Sequence, residues 1–354
     1  MKHTETGMIP DDWEVKKIED FAEVATGNKN TQDAEENGKY PFYVRSPIVE
    51  KINSFSFDSE GVITVGDGVG TGKVFHYAKG KFGLHQRAYL IHKFEKVDPL
   101  YFYYNFSQNF YKRVHAMTAK TSVDSVRREM ITEMLVPLPP TMEEQQKIAE
   151  VLGNIDNTIN ALEKLIEKKK NIKQAAMQNL LTPKSDWETK KLGEILKIGH
   201  GRDYKHLKEG DIPVFGTGGY MTSVNEFLYD GETVCIGRKG TIDKPFYHKG
   251  KIWTVDTLFY TYNFQNVLPK YIYYVFCTID WLSMNEASGV PSLTAKHIEE
   301  VLISVPCIKE QTSIAGILSD MDSEISALEQ KLAKYRSFKA AMASQLLTGK
   351  IRLK

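Results

Sequence analysis

Two glycine-rich turns, residues 66–73 and 238–244, carry the side chains in this sequence that could do chemistry. The first, residues 66–73 (GDGVGTGK), has the glycines and the lysine of a phosphate-binding loop. The Walker A pattern fails, because it needs glycine where Asp67 stands and Ser or Thr where Val74 stands. The dinucleotide-binding pattern also fails, since Thr71 occupies the place of its third glycine. The segment is therefore predicted to be a turn that connects two strands.

Other catalytic patterns fail as well. An amino-methyltransferase would need an Asn/Asp-Pro-Pro-Tyr corner, and the nearest candidate, residues 98–101 (DPLY), has leucine in the third place. A nuclease pattern beginning at Pro10 and Asp11 leaves no room for the strand that it requires. The nine histidines show no metal-ligand spacing, and no helicase motif is present. The sequence therefore predicts a non-catalytic chain whose partners carry out any chemistry.

Cations and polar side chains gather around the two turns. These are the groups that reach phosphates and base edges in nucleic-acid complexes. Unconstrained drift of surface loops is the alternative explanation. We predict DNA contacts by the following residues: Lys73, His85, Gln86, Arg87, Arg238, Lys239, Lys244 and Lys251.

The elements that must position these residues recur in the same order. A short β-run, GVITVG at 61–66 and ETVCIG at 232–237, precedes each turn, and another strand follows it. An aromatic helix comes next in both regions, with YFYY at 101–104 and YIYY at 271–274, and its tyrosines are predicted to lie in the domain core rather than to stack on bases. The two regions thus share a scaffold and differ in their loops. This combination suits two domains that recognise two different targets.

A long helical segment follows each region. Residues 144–184 recur without a gap at 310–350, with 17 of 41 positions identical. Apolar residues in both copies are spaced alternately by four and three, which is a heptad seam. The predicted seam residues are Ile148, Leu152, Ile155, Ile159, Leu162, Ile166, Ile314, Leu318, Met321, Ile325, Leu328 and Leu332.

Because the two seams share one register, each helix is predicted to pair with the other copy. Two similar helices related by a two-fold axis pack antiparallel, and each would extend on the order of 60 Å at 1.5 Å per residue. Separate helices that cap their own domains are one alternative, and a coiled coil between two chains is another. A capping box begins at Thr141, but Cys307 stands at the equivalent place, so the second helix is predicted to begin differently.

Composition limits the class of protein. The chain has 354 residues, of which 42% are hydrophobic and 26% charged, as expected of a soluble protein with two cores. No apolar run is long enough to span a membrane, and the first residues lack the pattern of a signal peptide. Three cysteines without paired spacing predict a cytoplasmic protein. The net charge of +1 is low for a nucleic-acid binder, although the distribution of charge matters more.

These features together resemble the specificity subunit of type I restriction-modification enzymes, over essentially the whole chain. The resemblance rests on the segments WEVKKIEDFAEVATG and WETKKLGEILKIGHG, which begin at Trp13 and Trp187. It also rests on the strand-turn segments GDGVGTGKVFHYAKGKFGLHQRAYLI and IGRKGTIDKPFYHKGKIWTVDTLFY. The helix entries EQQKIAEVL and EQTSIAGIL follow Pro140 and Pro306, and the endings LLTPK and LLTGK complete the match.

The resemblance implies an α+β fold with a pseudo-two-fold internal repeat. Two similar β-rich target-recognition domains, residues 1–140 and 183–306, would be joined by two long antiparallel helices in a coiled coil, residues 141–182 and 307–354. Each domain would read one half of a bipartite sequence in the major groove of double-stranded DNA. The helices would set the length of the unread spacer.

The resemblance also implies partners. Two modification (methyltransferase) subunits would dock on the chain, and two restriction (endonuclease/translocase) subunits would join them. S-adenosylmethionine, ATP and Mg²⁺ would be bound by those partners and not by this chain. One alternative is a scaffold whose twin domains bind proteins rather than nucleic acid. Another is the target-binding subunit of a fused restriction-methylation enzyme.

Overall fold

The computed structural model describes residues 1–68, 70–117, 125–285 and 287–353. Val69, in the first predicted turn, lies outside the described residues. The chain divides into two compact units, one formed by Met1–Leu162 with Lys331–Lys354 and the other by Glu163–Gln330. Each unit therefore contains one β-rich domain and parts of both long helices.

Helices cover the two long repeats and pack on the sheets. They are α1 (Pro99–Met117), α2 (Arg128–Thr132), α3 (Met142–Leu180), α4 (Leu192–Ile195), α5 (Pro269–Phe276), α6 (Ala295–Glu300) and α7 (Ile308–Leu346). Short 3₁₀ turns lie at Ile18–Asp20, Thr31–Asp33 and Leu282–Met284. In the described part of the chain, no helix is both long and apolar enough to cross a membrane.

The first domain is built on a mixed sheet. Its strands are β1 (Lys2–Thr4), β2 (Gly7–Ile9), β3 (Glu14–Lys17), β4 (Glu23–Thr26), β5 (Tyr40–Tyr43), β6 (Glu50–Ile52), β7 (Phe57–Val65), β8 (Phe75–Leu84), β9 (Ala88–His92) and β10 (Leu135–Leu138). Within the described residues, six of them form a sheet in the order β4-β9-β7-β8-β5-β6. Its pairs are antiparallel except β5 with β8, which run parallel.

The second domain repeats this topology. Its strands are β11 (Glu188–Lys191), β12 (Lys197–His200), β13 (Glu209–Gly216), β14 (Gly219–Val224), β15 (Tyr229–Gly237), β16 (Phe246–Thr254), β17 (Leu258–Tyr262) and β18 (Leu302–Val305). The order β12-β17-β15-β16-β13-β14 again has one parallel pair, β13 with β16, among the described strands. The predicted α+β fold with two similar domains is confirmed.

The central strands and the aromatic helices form the domain cores. In β15, Val234, Cys235 and Ile236 are buried, as expected of a short β-branched run on a covered sheet. Tyr101 of α1 and Tyr271 of α5 are fully buried, and Tyr271 donates its hydroxyl hydrogen to the Ser304 carbonyl at 2.9 Å. The aromatic motifs are thus core residues, which confirms the prediction.

The two long helices pack antiparallel in each unit. In the first unit, the Lys339 Nζ lies 2.5 Å from an Asp156 carboxylate oxygen. In the second, Lys169 pairs with Glu324 at 2.7 Å and Lys173 pairs with Asp322. Residue numbers therefore increase along α3 where they decrease along α7, which is the pattern of an antiparallel pair. Ten of the twelve predicted seam residues are buried, and Met321 and Leu328 are half-buried.

The beginning of the seam has a second role. Ile314 and Leu318 lie in the apolar core of the second domain together with Tyr271, so the first turns of α7 pack on their own domain. Backbone hydrogen bonds close the start of α7. The Cys307 carbonyl accepts from the backbone N–H groups of Glu310 and Gln311, both at 3.0 Å.

An aspartate on a long helix ties each domain to the helix pair. In the second unit, the Tyr274 hydroxyl donates to Asp322 Oδ2 at 2.8 Å, and Lys173 binds the other carboxylate oxygen. Burial, together with the hydrogen bond to Asp322, raises the pKa of Tyr274, so the hydroxyl stays protonated and donates. The first unit repeats the arrangement with Tyr104, Asp156 and Lys339. Each aromatic helix is therefore fixed to both long helices.

Candidate nucleic-acid interface

The first turn brings two arginines onto one carboxylate. The Gly66 N–H donates to the Arg87 carbonyl at 2.8 Å, so the end of β7 lies beside the start of β9. Asp67 then accepts from Arg45 Nη1 at 3.1 Å and from Arg87 Nη1 at 2.9 Å. Gly68 has φ +88°, a left-handed conformation that favours glycine. The turn therefore needs glycine in order to place Asp67 between the arginines.

The three charges form a positive cluster that solvent can reach. Burial raises the pKa of Asp67, but hydrogen bonds from Arg45 and Arg87 outweigh this and hold it below its usual value. The carboxylate is therefore ionised at neutral pH and leaves a net charge of about +1. The Arg45 and Arg87 side chains are 41% and 58% exposed. Because each guanidinium has five N–H donors, most of them remain available to a ligand.

His85 and Gln86 have different roles beside this cluster. His85 is buried, and its Nδ1 accepts from the Arg87 backbone N–H at 3.0 Å. Burial, with nearby Arg45, lowers the pKa of His85, so the ring is neutral and able to accept. We predict DNA contact for this residue; the structure places its ring inside the domain, where it holds the Arg87 backbone. Gln86 is exposed and donates to Asn30 Oδ1 at 2.5 Å.

The second turn has the same backbone and different side chains. The Arg238 N–H donates to the Thr257 carbonyl at 2.7 Å, and Gly240 has φ +92°. The Arg238 guanidinium donates to the Asp256 carbonyl at 3.2 Å. Lys239 is exposed next to it. Two adjacent cations therefore stand where the first domain has glycine and aspartate.

Backbone pairing establishes which positions are equivalent. Asp67 bridges Ser125 in the first domain, and Lys239 bridges Ser292 in the second. A Cβ built on Gly68 would lie 3.8 Å from the Arg45 guanidinium, and one on Gly240 would lie 3.4 Å from the Thr217 hydroxyl. The trio Arg45, Asp67 and Arg87 of the first domain therefore corresponds to Thr217, Lys239 and Thr257 of the second. The same three positions carry different chemistry in the two domains.

The remaining predicted contacts have other surroundings. Lys73 packs over the Tyr111 ring of α1 at 5.1 Å, and Lys244 is exposed in the loop before β16. Lys251 on β16 pairs with Asp230 at the start of β15. Asp230 is eight residues from Arg238, which corresponds to about 26 Å along an extended strand.

The Lys251 contact belongs to the shared scaffold. Lys251 lies 5.1 Å from the centre of the Phe227 ring, and Lys81 lies 4.9 Å from that of Phe55 at the equivalent place in the first domain. A pair retained in both domains cannot distinguish two targets. Among the described residues, no cluster of three or more His, Cys, Asp or Glu side chains could hold a metal ion.

Comparison with known proteins places this arrangement in a family. A model described as the type I restriction modification DNA specificity domain matches residues 10–174 and 184–334. Each match covers one β-rich domain with most of the long helix that follows it.

Two relatives come from Methanocaldococcus jannaschii. The type I restriction enzyme MjaVIII specificity subunit is 23% identical over 412 residues, covering 98% of this chain and 94% of the relative. The putative type I restriction enzyme MjaX specificity subunit is 25% identical over 422 residues, covering 100% and 97%.

A solved structure has the same fold. The crystal structure of the S subunit of a type I restriction-modification system from M. genitalium matches with a TM-score of 0.75 at 18% identity, covering 98% of both chains. The family model accounts for well over half of the sequence, in two copies. The resemblance inferred from the repeated helices and turns is thereby confirmed: the chain belongs to the family of type I restriction-modification DNA specificity subunits.

Proposed function

We propose that each domain reads one half of a bipartite duplex DNA target and that the paired long helices set the length of the unread spacer. One observation supports this proposal most strongly: equivalent positions of one scaffold carry different side chains in the two domains. They are Arg45, Asp67 and Arg87 in the first domain. They are Thr217, Lys239 and Thr257 in the second. Side chains of this kind distinguish base edges in the major groove. Two different sets on one scaffold correspond to two different half-sites.

Methyl transfer and cleavage are assigned to partner subunits in this proposal. Two modification subunits and two restriction subunits assemble with the chain, and those partners bind S-adenosylmethionine, ATP and Mg²⁺. Exposed apolar residues at equivalent helix positions support two copies of a partner. Ile172 on α3 is 43% exposed and Phe338 on α7 is 51% exposed, and the two positions differ by the repeat offset, 338 − 172 = 166. A repeated surface suits two identical partners.

Domain exchange tests the division of the target. Replacing residues 13–140 with the first domain of another specificity subunit should change one half-site and leave the other half and the spacer unchanged. The measurement is the map of methylated adenines in cells that also express the modification subunits. An altered second half from a folded, active chimera would contradict the proposal.

Single substitutions test the base contacts. Arg87→Ala and Arg45→Ala should each weaken specific binding by about 1–3 kcal/mol and relax the first half-site only, as expected for loss of an arginine–guanine pair. Arg238→Ala and Lys239→Ala should relax only the second half-site. Asp67→Asn retains both cations but weakens their charge-assisted bonds, so we expect relaxed specificity with little loss of affinity.

Lys79→Ala is the matched control for these variants. Lys79 is a 71% exposed cation on β8 that pairs with Glu60, so its loss should lower affinity slightly for every sequence. Binding assays on duplexes that differ at one base pair, at fixed salt, separate the two effects. Unchanged sequence profiles in all the turn variants would contradict the assignment of base contacts to these residues.

A further inference from the structure

Each domain exposes two consecutive, largely apolar side chains close to the turn of a β-hairpin. Between β5 and β6, Ile48 is 72% exposed and Val49 is 41% exposed. In the hairpin of β13 and β14, Tyr220 is 62% exposed and Met221 is 51% exposed. Single exposed apolar residues are ordinary on a protein surface. An adjacent pair at the corresponding place in two divergent domains calls for a shared cause.

The two tips are equivalent by strand register. Phe42 pairs with Glu50 across the first hairpin, which encloses residues 43–49. Val214 pairs with Thr222 at the equivalent place in the second hairpin. Inside that pair, Phe215 still pairs with Tyr220 and Gly216 with Gly219, so Tyr220 and Met221 lie at the start of β14, beside the turn. We call the segments between these equivalent pairs, residues 43–49 and 215–221, the hairpin tips. Both contain seven residues, and the apolar pair occupies the last two places in each. The side chains differ, and the Tyr220 hydroxyl lies 3.1 Å from Ser223 Oγ, whereas the position and the large exposed apolar surface are retained.

Each tip adjoins the turn cluster of its own domain. The third residue of the first tip is Arg45, which is bound to Asp67. The third residue of the second is Thr217, whose hydroxyl would lie 3.4 Å from a Cβ on Gly240, next to Lys239. The first tip is also anchored through the Ser46 carbonyl, 3.2 Å from His76 Nε2. The apolar pair of each domain therefore lies three and four residues along the chain from a member of that domain's trio, Arg45 or Thr217.

We propose that the two hairpin tips contact the 5-methyl groups of thymines, one tip in each half-site. This inference rests on the proposed function. Thymine is the base that presents an apolar group in the major groove, and apolar side chains recognise it there. The neighbouring cations suit guanine edges and phosphates. Ile48 and Val49 present a different shape from Tyr220 and Met221, which suits two different half-sites.

Deoxyuridine substitution provides a direct test, because it removes only the methyl group. The target is first defined from methylated adenines in cells. Duplexes with uracil for thymine in one half-site at a time are then titrated with the full chain assembled with its modification subunits. Each contacted methyl should contribute about four-fold in Kd, the ratio that corresponds to about 0.8 kcal/mol for a buried CH₂-sized group.

Tip variants assign the effect to each domain. Ile48→Ser combined with Val49→Ser should bind thymine and uracil versions of the first half-site equally and keep its response to the second. Tyr220→Ser combined with Met221→Ser should do the converse. Matched controls are Met8→Ser on β2 and Leu302→Ser on β18, which remove apolar side chains that are 45% and 63% exposed and lie outside the two tips.

The outcomes separate this inference from the function on which it rests. A wild-type complex that prefers its target but binds thymine and uracil duplexes equally would overturn the tip contact alone. A half-site without thymine, or tip variants that keep full discrimination, would do the same. A complex that binds the mapped target no better than an unrelated duplex would instead overturn the proposed function.

Discussion

Lengthening both long helices by one heptad is expected to lengthen the unread DNA spacer by up to about three base pairs. Seven residues add about 10 Å at 1.5 Å per residue, and base pairs are spaced at about 3.4 Å. The insertion follows Leu162 in α3. In the antiparallel helix pair, facing residues have numbers with a constant sum, which is 495 for Asp156 and Lys339. Position 162 therefore faces 495 − 162 = 333, and the matching insertion follows Leu332 in α7. Both insertions keep the apolar seam in phase.

The domain attachments should survive these insertions. Asp156 and Asp322 hold their tyrosines within separate units, and neither set of contacts includes the inserted residues. The measurement is the methylated motif in cells that express each variant with the modification subunits. Both half-sites should be unchanged while the distance between them grows.

A two-residue insertion at the same two sites is the matched control. Two residues rotate a helix by about 200° at 3.6 residues per turn, which turns lysines such as Lys168 and Lys169 toward the seam. This variant should lose the helix pairing and with it methylation of any bipartite target. An unchanged spacer from a folded, active heptad variant would show that the helices do not determine the distance.

The fold could be predicted because its signals are local and repeated. A seam such as Ile148 to Ile166 is set by spacing within a single helix, and glycines flank the short β-runs at Gly66 and Gly237. The same order of turn and long helix in both halves of the chain indicates a duplicated domain, which no single motif could show. These patterns require no knowledge of which strands pair.

The composition of the interface could not be predicted in the same way. Arg45 reaches Asp67 only because β5 pairs parallel with β8, and nothing local in the sequence specifies a parallel pair. For the same reason His85 seemed available to DNA, whereas the structure buries it beneath Arg87. Lys251 is close to Arg238 in sequence, but it pairs with Asp230, at the opposite end of β15 from Arg238. Long-range strand pairing determines these positions.

The largest stability effect is expected at Arg352, close to the C-terminal end of the sequence. Its guanidinium contacts both carboxylate oxygens of Asp12, at 2.8 and 2.9 Å, and both of Glu144, at 2.5 and 2.8 Å. The Glu144 side chain is only 3% exposed. Arg352→Ala would leave a buried carboxylate without its cation, a change that costs about 3–5 kcal/mol for buried pairs.

The second domain supplies the control for this prediction. Glu310 is the repeat of Glu144, and its cation, Lys184, is 58% exposed, so Lys184→Ala should cost less than about 1 kcal/mol. Urea unfolding of the full chain measures both changes. Adding Glu144→Gln to Arg352→Ala should recover part of the loss, because the buried group would no longer carry a charge. Equal stabilities for Arg352→Ala and Lys184→Ala would show that the first unit does not depend on this contact. A large difference would show that Arg352, which follows the helix repeat, stabilises the first unit more than Lys184 stabilises the second.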